Sequence, residues 1–160
     1  MPLLISDANV LIDMEVGELL ERMFSLPHEF VTPDLLYANE LEEHHPYLPR
    51  LGLQLQGLDG DGIRAVTMFR QRYRRVSTYD CAALALAVNL ECRLLTGDLA
   101  LREAARQEEL EVVGTLWLVE EMIVHQLISA RQALSAFDHM RRNGRRLPWK
   151  QAAGLVRKYQ

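Results

Sequence analysis

The sequence contains few cysteines, few aromatic residues and no long apolar run. The two cysteines, Cys81 and Cys92, stand in apolar segments without a CxxC spacing, so we expect reduced, buried thiols and neither a disulfide nor a cysteine-bound metal. No apolar run approaches the ~20 residues of a membrane-spanning helix. The first residues lack a basic region and meet an acid at Asp7, which argues against a secretory signal. We therefore expect a cytoplasmic protein that does not bind a membrane.

The sequence also lacks a surplus of positive charge. Its 18 lysines and arginines are outnumbered by 22 aspartates and glutamates, which gives a net charge of −4. A purely electrostatic nucleic-acid binder is normally basic. The basic residues are nevertheless concentrated in two runs, Arg70–Arg75 and Arg141–Arg146. Either run could follow a phosphate backbone or form a solvated helix surface, and the sequence leaves both interpretations open.

Short apolar segments alternate with helical patterns along most of the chain. Apolar residues at helical spacing separate the strands, and one helix is predicted to begin at Pro33 and end near His45. Strands separated by helices indicate a parallel sheet with right-handed crossovers, and hence an α/β sandwich. Residues 51–58 alternate leucine with glycine or polar residues, as an edge strand does. The other predicted strands lie at residues 3–6, 30–32, 93–95 and 111–113.

The pattern becomes purely helical after about residue 124. One helix is expected over residues 128–141, Gly144 ends it, and Pro148 begins a last helix that reaches Tyr159. We therefore expect an α/β domain over residues 1–124 and a helical extension over residues 125–160. The apolar faces of the two terminal helices need a surface to pack on, either on the same domain or across a homodimer interface.

Four acidic residues each adjoin an apolar segment: Asp7, Glu40, Asp80 and Asp98. Asp7 and Asp98 follow predicted strands, Asp80 opens a helix, and Glu40 lies inside one. In a parallel α/β sheet, functional residues gather at the carboxyl ends of the strands. Together the four would form an oxygen-ligand site for Mg²⁺ or Mn²⁺, suited to metal-assisted phosphodiester cleavage. Taken singly, each acid could instead be a helix cap or a turn former.

The segments around these acids resemble the PIN-domain family of metal-dependent ribonucleases. The resemblance covers about residues 3–120 and rests on Ser6–Ile12, Glu40, Ser77–Ala87 and Leu94–Asp98. It implies a Rossmann-like three-layer sandwich with a central parallel sheet and an acidic pocket that binds Mg²⁺ or Mn²⁺ and cuts RNA. Many small members of the family resemble VapC-type toxins, which are paired with an antitoxin protein.

The resemblance also implies roles for individual residues. It places the catalytic and metal-binding carboxylates at Asp7, Glu40, Asp80 and Asp98, and it implies that supporting side chains orient them, namely Asn9, Ser77 and Thr96. Glu40, at the edge of the cluster, is the candidate for accepting a proton from the attacking water. The first basic run supplies the predicted RNA-binding residues Arg72, Arg74 and Arg75.

Two other interpretations stay open at this point. The chain could be a PIN-fold binding or regulatory module without catalysis, which uses its helical extension to hold a protein partner. A zinc site at Glu40 and His44 is also conceivable, although no second histidine follows at the spacing of a metalloprotease helix. The leading expectation is a divalent-metal-dependent endoribonuclease that forms a homodimer, with an antitoxin protein as a further candidate partner.

Overall fold

A five-stranded, all-parallel sheet forms the centre of the computed structural model, which describes residues 1–160. Its strand order is β3-β2-β1-β4-β5. The adjacent inner strands β1 and β4 carry the buried apolar residues Leu4, Ile5, Leu94 and Leu95, because helices cover both faces of the sheet. The predicted α/β architecture with a parallel sheet is therefore confirmed. The strands are β1 (Leu3–Ser6), β2 (Glu29–Pro33), β3 (Gln54–Gln56), β4 (Arg93–Leu95) and β5 (Val112–Val113).

Ten helices surround the sheet, and one of them continues into a π-helical turn. None of the ten is both long enough and apolar enough to cross a bilayer. In chain order they are α1 (Ala8–Val16), α2 (Leu20–Phe24), α3 (Asp34–Leu36) with the π-helical turn Tyr37–Leu41, α4 (Leu48–Leu51), α5 (Gly60–Arg72), α6 (Thr78–Leu90), α7 (Leu99–Gln107), α8 (Thr115–Val124), α9 (Ala130–Arg142) and α10 (Trp149–Tyr159).

The order of the strands places a crevice between β1 and β4. From β1 the chain moves outward through β2 to β3, then returns to the other side of β1 and continues through β4 to β5. The two central strands pair with Ser6 opposite Leu95, so they end at the same level. In open α/β sheets, ligands bind at such a switch point, outside the carboxyl ends of the strands.

Polar residues begin the helices that follow this edge of the sheet. Asp7, Ser77 and Asp98 are the N-caps of α1, α6 and α7, and each side chain accepts a hydrogen bond from a backbone amide in the first turn. Helix α6 is then buried along Cys81–Ala87, where alanines alternate with leucines. These small residues let the helix lie close to the sheet, which fixes its first turn beside the crevice.

Two local predictions need correction. The edge strand predicted over residues 51–58 is present at the edge of the sheet, but it is only three residues long. The residues before it form the short helix α4, because Pro49 favours a first helical turn. The helix predicted from Pro33 to His45 is also interrupted. It begins with three α-helical residues, continues as the π-helical turn and ends at Leu41.

The helical extension packs on its own chain. Helix α9 contacts α1 and α8, and α10 contacts α8 and α9. Gly17, the C-cap of α1, lies against α9, where an added Cβ would meet the terminal methyl group of Met140 and the Cβ of Ala136. The extension contributes seven buried residues to the same hydrophobic core as the rest of the chain, namely Ile128, Ala133, Ala136, Phe137, Met140, Ala152 and Val156.

Candidate functional site

Asp7 lies at the carboxyl end of β1 and is only 1% exposed. Its backbone amide donates to the carbonyl of Leu95 at 3.1 Å, which continues the pairing of β1 with β4. Its Oδ1 accepts from the amide of Val10 at 3.0 Å, and its Oδ2 accepts from Oγ1 of Thr96 at 2.5 Å. The carboxylate therefore has a fixed position at the crevice, set by the sheet, by α1 and by the residue after β4.

Thr96 joins two of the four acids. Besides donating to Asp7, its hydroxyl oxygen accepts from the backbone amide of Asp98 at 3.0 Å. Asp98 in turn caps α7, because its Oδ1 accepts from the amide of Leu101 at 2.8 Å. The side chain of Asp98 is partly exposed, so one carboxylate oxygen is tied to the helix while the group still reaches solvent.

Asp80 and Glu40 approach the same region from two further elements. Asp80 is half-buried in the first turn of α6, and its backbone amide donates to Oγ of the N-cap Ser77 at 3.2 Å. Glu40 lies in the π-helical turn that follows β2, and it is exposed. Single π-helical turns often occur at functional sites, because the extra residue changes the direction of the neighbouring side chains.

The pKa values of these acids show that their charges act on one another. Burial raises the pKa of Asp7 to about 7, against the effect of its two hydrogen bonds, and the charge of Asp80 raises it further. Burial also raises the pKa of Asp80 to about 6, with added repulsion from Glu40 and Asp98. Partial burial raises the pKa of Glu40. Asp80 thus lies within electrostatic reach of the other three acids.

The chemistry of these side chains suits a hard divalent cation. All four donors are carboxylates, and both oxygens of Asp7 keep a free lone pair beside the hydrogen bond that each accepts. No three histidine, cysteine, aspartate or glutamate side chains are close enough together to enclose a metal by themselves. Mg²⁺ does not require such a cage, since it is usually bound through one or two carboxylates with water and substrate phosphate as its other ligands.

The histidines near Glu40 have other carboxylate partners. Nε2 of His44 lies 3.9 Å from Glu43, and Nδ1 of His45 lies 2.5 Å from Glu15. Glu40 and His44, whose i,i+4 spacing suggested zinc, are therefore not part of a group of side chains that could bind that metal.

A buried acid next to the site, Asp13, was not predicted from the sequence. Asp13 is 6% exposed in α1, and its Oδ2 accepts from Oγ1 of Thr115 at 2.8 Å. Its Oδ1 accepts from Nε of Arg145 at 2.6 Å. Burial is the largest effect on this carboxyl and raises its pKa, although Arg145 and Thr115 oppose the rise. The feature of the sequence that could have revealed it is an acid within the apolar helix Ala8–Val16, since a buried carboxylate needs a partner.

Arg145 also brings the loop between α9 and α10 to the acidic site. This α9–α10 loop comprises residues 143–148, and Nη2 of Arg145 donates to the carbonyl of Asn9 at 3.3 Å and to its Oδ1 at 3.4 Å. Asn9, a predicted supporting residue, thus contacts the extension. A cavity of about 310 Å³ lies between the loop and the acids, lined by Asn9, Asp13, Gly97, Asp98 and residues 144–147.

Two of the predicted RNA-binding residues, Arg74 and Arg75, line a cavity along α7 to which none of the four acids contributes. Nη1 of Arg72 donates to Oε2 of Glu108 at 2.8 Å, and its guanidinium lies 5.9 Å from the ring centroids of Phe69 and Tyr73. Arg74 and Arg75 are exposed, and the cavity beside them has a volume of about 460 Å³. One member of the group is thus engaged in an ion pair, while the RNA-binding role of all three stays a prediction.

Comparison with known proteins identifies the family. The family model described as "DUF3368: PIN domain" matches residues 3–160. A search of curated proteins finds no match to this chain. Among solved structures, the chain is similar to a PilT N-terminus domain protein from the hyperthermophilic archaeon Sulfolobus solfataricus P2. That likeness has a TM-score of 0.52 at 11% identity over 76% of this chain and 93% of the other, so it shows the fold alone. The family match, which spans both the α/β region and the helical extension, shows that this chain belongs to a PIN-domain family.

Proposed function

We propose that this protein is a divalent-metal-dependent endoribonuclease that hydrolyses phosphodiester bonds of RNA at the acidic crevice. PIN domains are in general nucleases, and this chain belongs to a PIN-domain family. The observation that supports the proposal is the geometry at the carboxyl ends of β1 and β4, where Thr96 links the side chain of Asp7 to the backbone amide of Asp98. Asp80 lies close enough to raise the pKa of Asp7, and Glu40 and Asp98 lie close enough to raise the pKa of Asp80. Carboxylates that raise one another's pKa favour the binding of a cation, which would stabilise their charged forms.

One or two of the carboxylates of Asp7, Asp80 and Asp98 would bind Mg²⁺ or Mn²⁺ directly, and water and substrate phosphate would supply the other ligands. The bound ion would polarise a phosphate oxygen and lower the pKa of a bound water. Thr96 fixes the orientation of Asp7 by donating to Oδ2, and it links Asp98 to the same position. Glu40 is exposed and has a raised pKa, so its carboxylate is suited to accept the proton of the water that attacks phosphorus.

Isosteric substitutions of the acids test this proposal. Asp80→Asn and Asp98→Asn should reduce Mn²⁺-dependent cleavage of a mixed RNA pool by at least about a hundredfold, because an amide binds the cation poorly and provides no base. Asp61→Asn, on an exposed residue paired with Arg64, is the matched control and should cleave like the parent. Each variant should retain the circular dichroism spectrum of the parent.

Metal binding itself has a separate measurement. Mn²⁺ should raise the melting temperature of the parent, since a ligand that binds only the folded state stabilises it by RT ln(1 + [L]/Kd), and it should raise that of Asp98→Asn less. A parent that cleaves no RNA in the pool and gains no stability from Mn²⁺ would refute the proposal.

A non-catalytic binding module is the second candidate function. The observation that favours it is the α9–α10 loop, which forms one wall of the cavity beside Asp98. In that case the parent would bind Mn²⁺ without cleaving RNA.

The VapC-type interpretation, with an antitoxin partner, belongs to the nuclease proposal. Its test is whether the neighbouring gene encodes a small protein that co-purifies with this chain and stops cleavage.

A further inference from the structure

A second cavity adjoins the acidic site, and arginines line it. It has a volume of about 610 Å³ and lies between α7, the junction of β5 with α8, and the α9–α10 loop. Arg102, Arg106 and Arg146 are part of its wall, and no aspartate or glutamate is. In a chain of net charge −4 this basic cleft is a local excess of three positive charges.

The three arginines have no carboxylate partner within 4.0 Å, whereas Arg64, Arg72, Arg142 and Arg145 each pair with an acid. Arg102 is held only by a hydrogen bond of 3.3 Å from Nη1 to the carbonyl of Thr96. Burial lowers the pKa of Arg102, and the nearby charge of Arg106 adds to this effect. Guanidinium groups kept close together without an acid are suited to an anionic ligand with several phosphates.

The basic cleft is continuous with the acidic site. Gly97, Arg146 and Leu147 line both the cleft and the smaller cavity that contains Asp98 and Asn9. Gly97 is exposed, and a methyl group added to its Cα would contact nothing within 4 Å. A ligand bound at the acids therefore has an open path along Gly97 towards the arginines.

We propose that the basic cleft binds the backbone of the single-stranded RNA that runs on from the phosphodiester bond at the acidic site, with Arg102, Arg106 and Arg146 contacting its phosphates. This inference rests on the proposed function, since the strand is the substrate of that reaction. A volume of about 610 Å³ is that of a small-ligand pocket and suits one strand better than a duplex. Arg146 belongs to the helical extension, so the extension completes the substrate site.

A phosphodiester strand fits this combination of charges better than an acidic peptide does. Both ligands would be attracted to the arginines. A carboxylate-rich peptide that continued past Gly97 would meet Asp98 and the other acids, which repel it. A phosphate at the same place can share a divalent cation with those acids, because metal ions in such sites bridge carboxylates and phosphate oxygens.

The test measures RNA binding by the full-length protein. A labelled single-stranded RNA of about 12 nucleotides is titrated with protein in Ca²⁺ buffer between about 50 and 200 mM salt. The variant is Arg106→Gln/Arg146→Gln, which avoids the partly buried Arg102. Each lost phosphate contact on a single strand lowers the salt slope by about 0.7, so the slope should fall by about 1.4. Arg64→Gln/Arg142→Gln is the matched control, because it removes two exposed, ion-paired arginines.

Retention of the parent slope by Arg106→Gln/Arg146→Gln would overturn the inference. So would a loss of slope in Arg74→Gln/Arg75→Gln instead, which would assign the strand to the other side of α7. Equal competition by polyglutamate and by unlabelled RNA of the same charge would overturn it in favour of an acidic peptide ligand. Hydrolysis of bis(4-nitrophenyl) phosphate by the parent with Mn²⁺ reports on the proposed reaction separately, since this diester has no flanking strand to occupy the cleft.

Discussion

Asp7 shows how burial and hydrogen bonding oppose each other at one residue. Two donors, the amide of Val10 and the hydroxyl of Thr96, stabilise its charged form, but the removal of the carboxylate from water outweighs both and raises its pKa to about 7. The carboxyl is therefore easily protonated in the metal-free protein. A cation reverses this balance, because it stabilises the charged form directly.

The metal-free protein should consequently lose stability as the pH rises. An unfolded aspartate has a pKa near 3.9, so between that value and about 7 the folded state binds the proton of Asp7 more tightly than the unfolded state does. The free energy of unfolding then falls with increasing pH across this window, by about 1.4 kcal/mol for each unit of pKa difference. Asp80, with a pKa of about 6, acts in the same direction.

Urea unfolding in EDTA at pH 5.0 and 7.5 measures this effect. The parent should be less stable at the higher pH by on the order of a few kcal/mol, and Asp7→Asn should lose clearly less, because its uncharged amide does not titrate. Asp61→Asn, on the exposed side of α5, should behave like the parent. Equal pH dependence in the parent and in Asp7→Asn would show that Asp7 is not destabilised by burial.

At the level of elements, the sequence predicted what depends on local patterns. The strand Leu3–Ser6 and the buried helix Thr78–Leu90 were evident, because continuous apolar runs and an N-cap serine are local features. The π-helical turn at Tyr37–Leu41 was not, since nothing in the apolar spacing distinguishes five residues of π-helix from α-helix. Glu40 lies in this turn, so its place among the acids was predicted from the sequence but its backbone conformation was not.

Contacts between elements that are far apart in the chain could not be predicted from the sequence either. Asp13 and Arg145 are 132 residues apart, and each was ambiguous alone, the acid within an apolar helix and the arginine within a basic run. Their ion pair follows from the packing of α9 on α1, which brings the α9–α10 loop over the start of α1. The same packing makes Arg146 a neighbour of Asp98, so the basic cleft could not be identified before the fold was known.

The ion pair of Asp13 with Arg145 should stabilise the placement of this loop. Their side chains are 8% and 24% exposed, so Arg145→Gln leaves a nearly buried carboxylate with only Thr115 as a partner. We expect a loss of roughly 3 kcal/mol in urea unfolding, the lower end for a broken buried pair. Arg142→Gln, which breaks an exposed i,i+4 pair in α9, should cost at most about 0.5 kcal/mol.

The double variant Asp13→Asn/Arg145→Gln completes the experiment. It removes the charge that Arg145→Gln leaves unpaired, so it should be more stable than the sum of the two single changes predicts, with a coupling energy of about 1–3 kcal/mol. Strict additivity would indicate that the two groups do not stabilise each other in solution.

For the whole molecule, the question is whether the helical extension is part of one folding unit. Its seven buried residues belong to the same core as the sheet, and the matched family model runs through residue 160. A chain that ends at Val124 should therefore expose apolar surface on α1 and α8 and aggregate, as size-exclusion chromatography with light scattering would show. A truncated chain that stays monodisperse and melts like the parent would contradict this expectation.

Truncation also leaves Asp13 without Arg145, so point variants in α9 are needed to isolate the apolar contact. Phe137 is 4% exposed within the core, whereas Leu134 on the same helix is 50% exposed. Phe137→Ala should cost about 3 kcal/mol, because it removes buried apolar surface and leaves a cavity, while Leu134→Ala should change stability by less than about 0.5 kcal/mol in a monomer.

If the protein forms a homodimer through the exposed face of α9, the result for Leu134 changes in a recognisable way. Leu134→Ala would then lower the mass in solution and make the melting temperature depend more strongly on protein concentration. Equal, small effects of both substitutions on stability would instead show that the extension does not share the core.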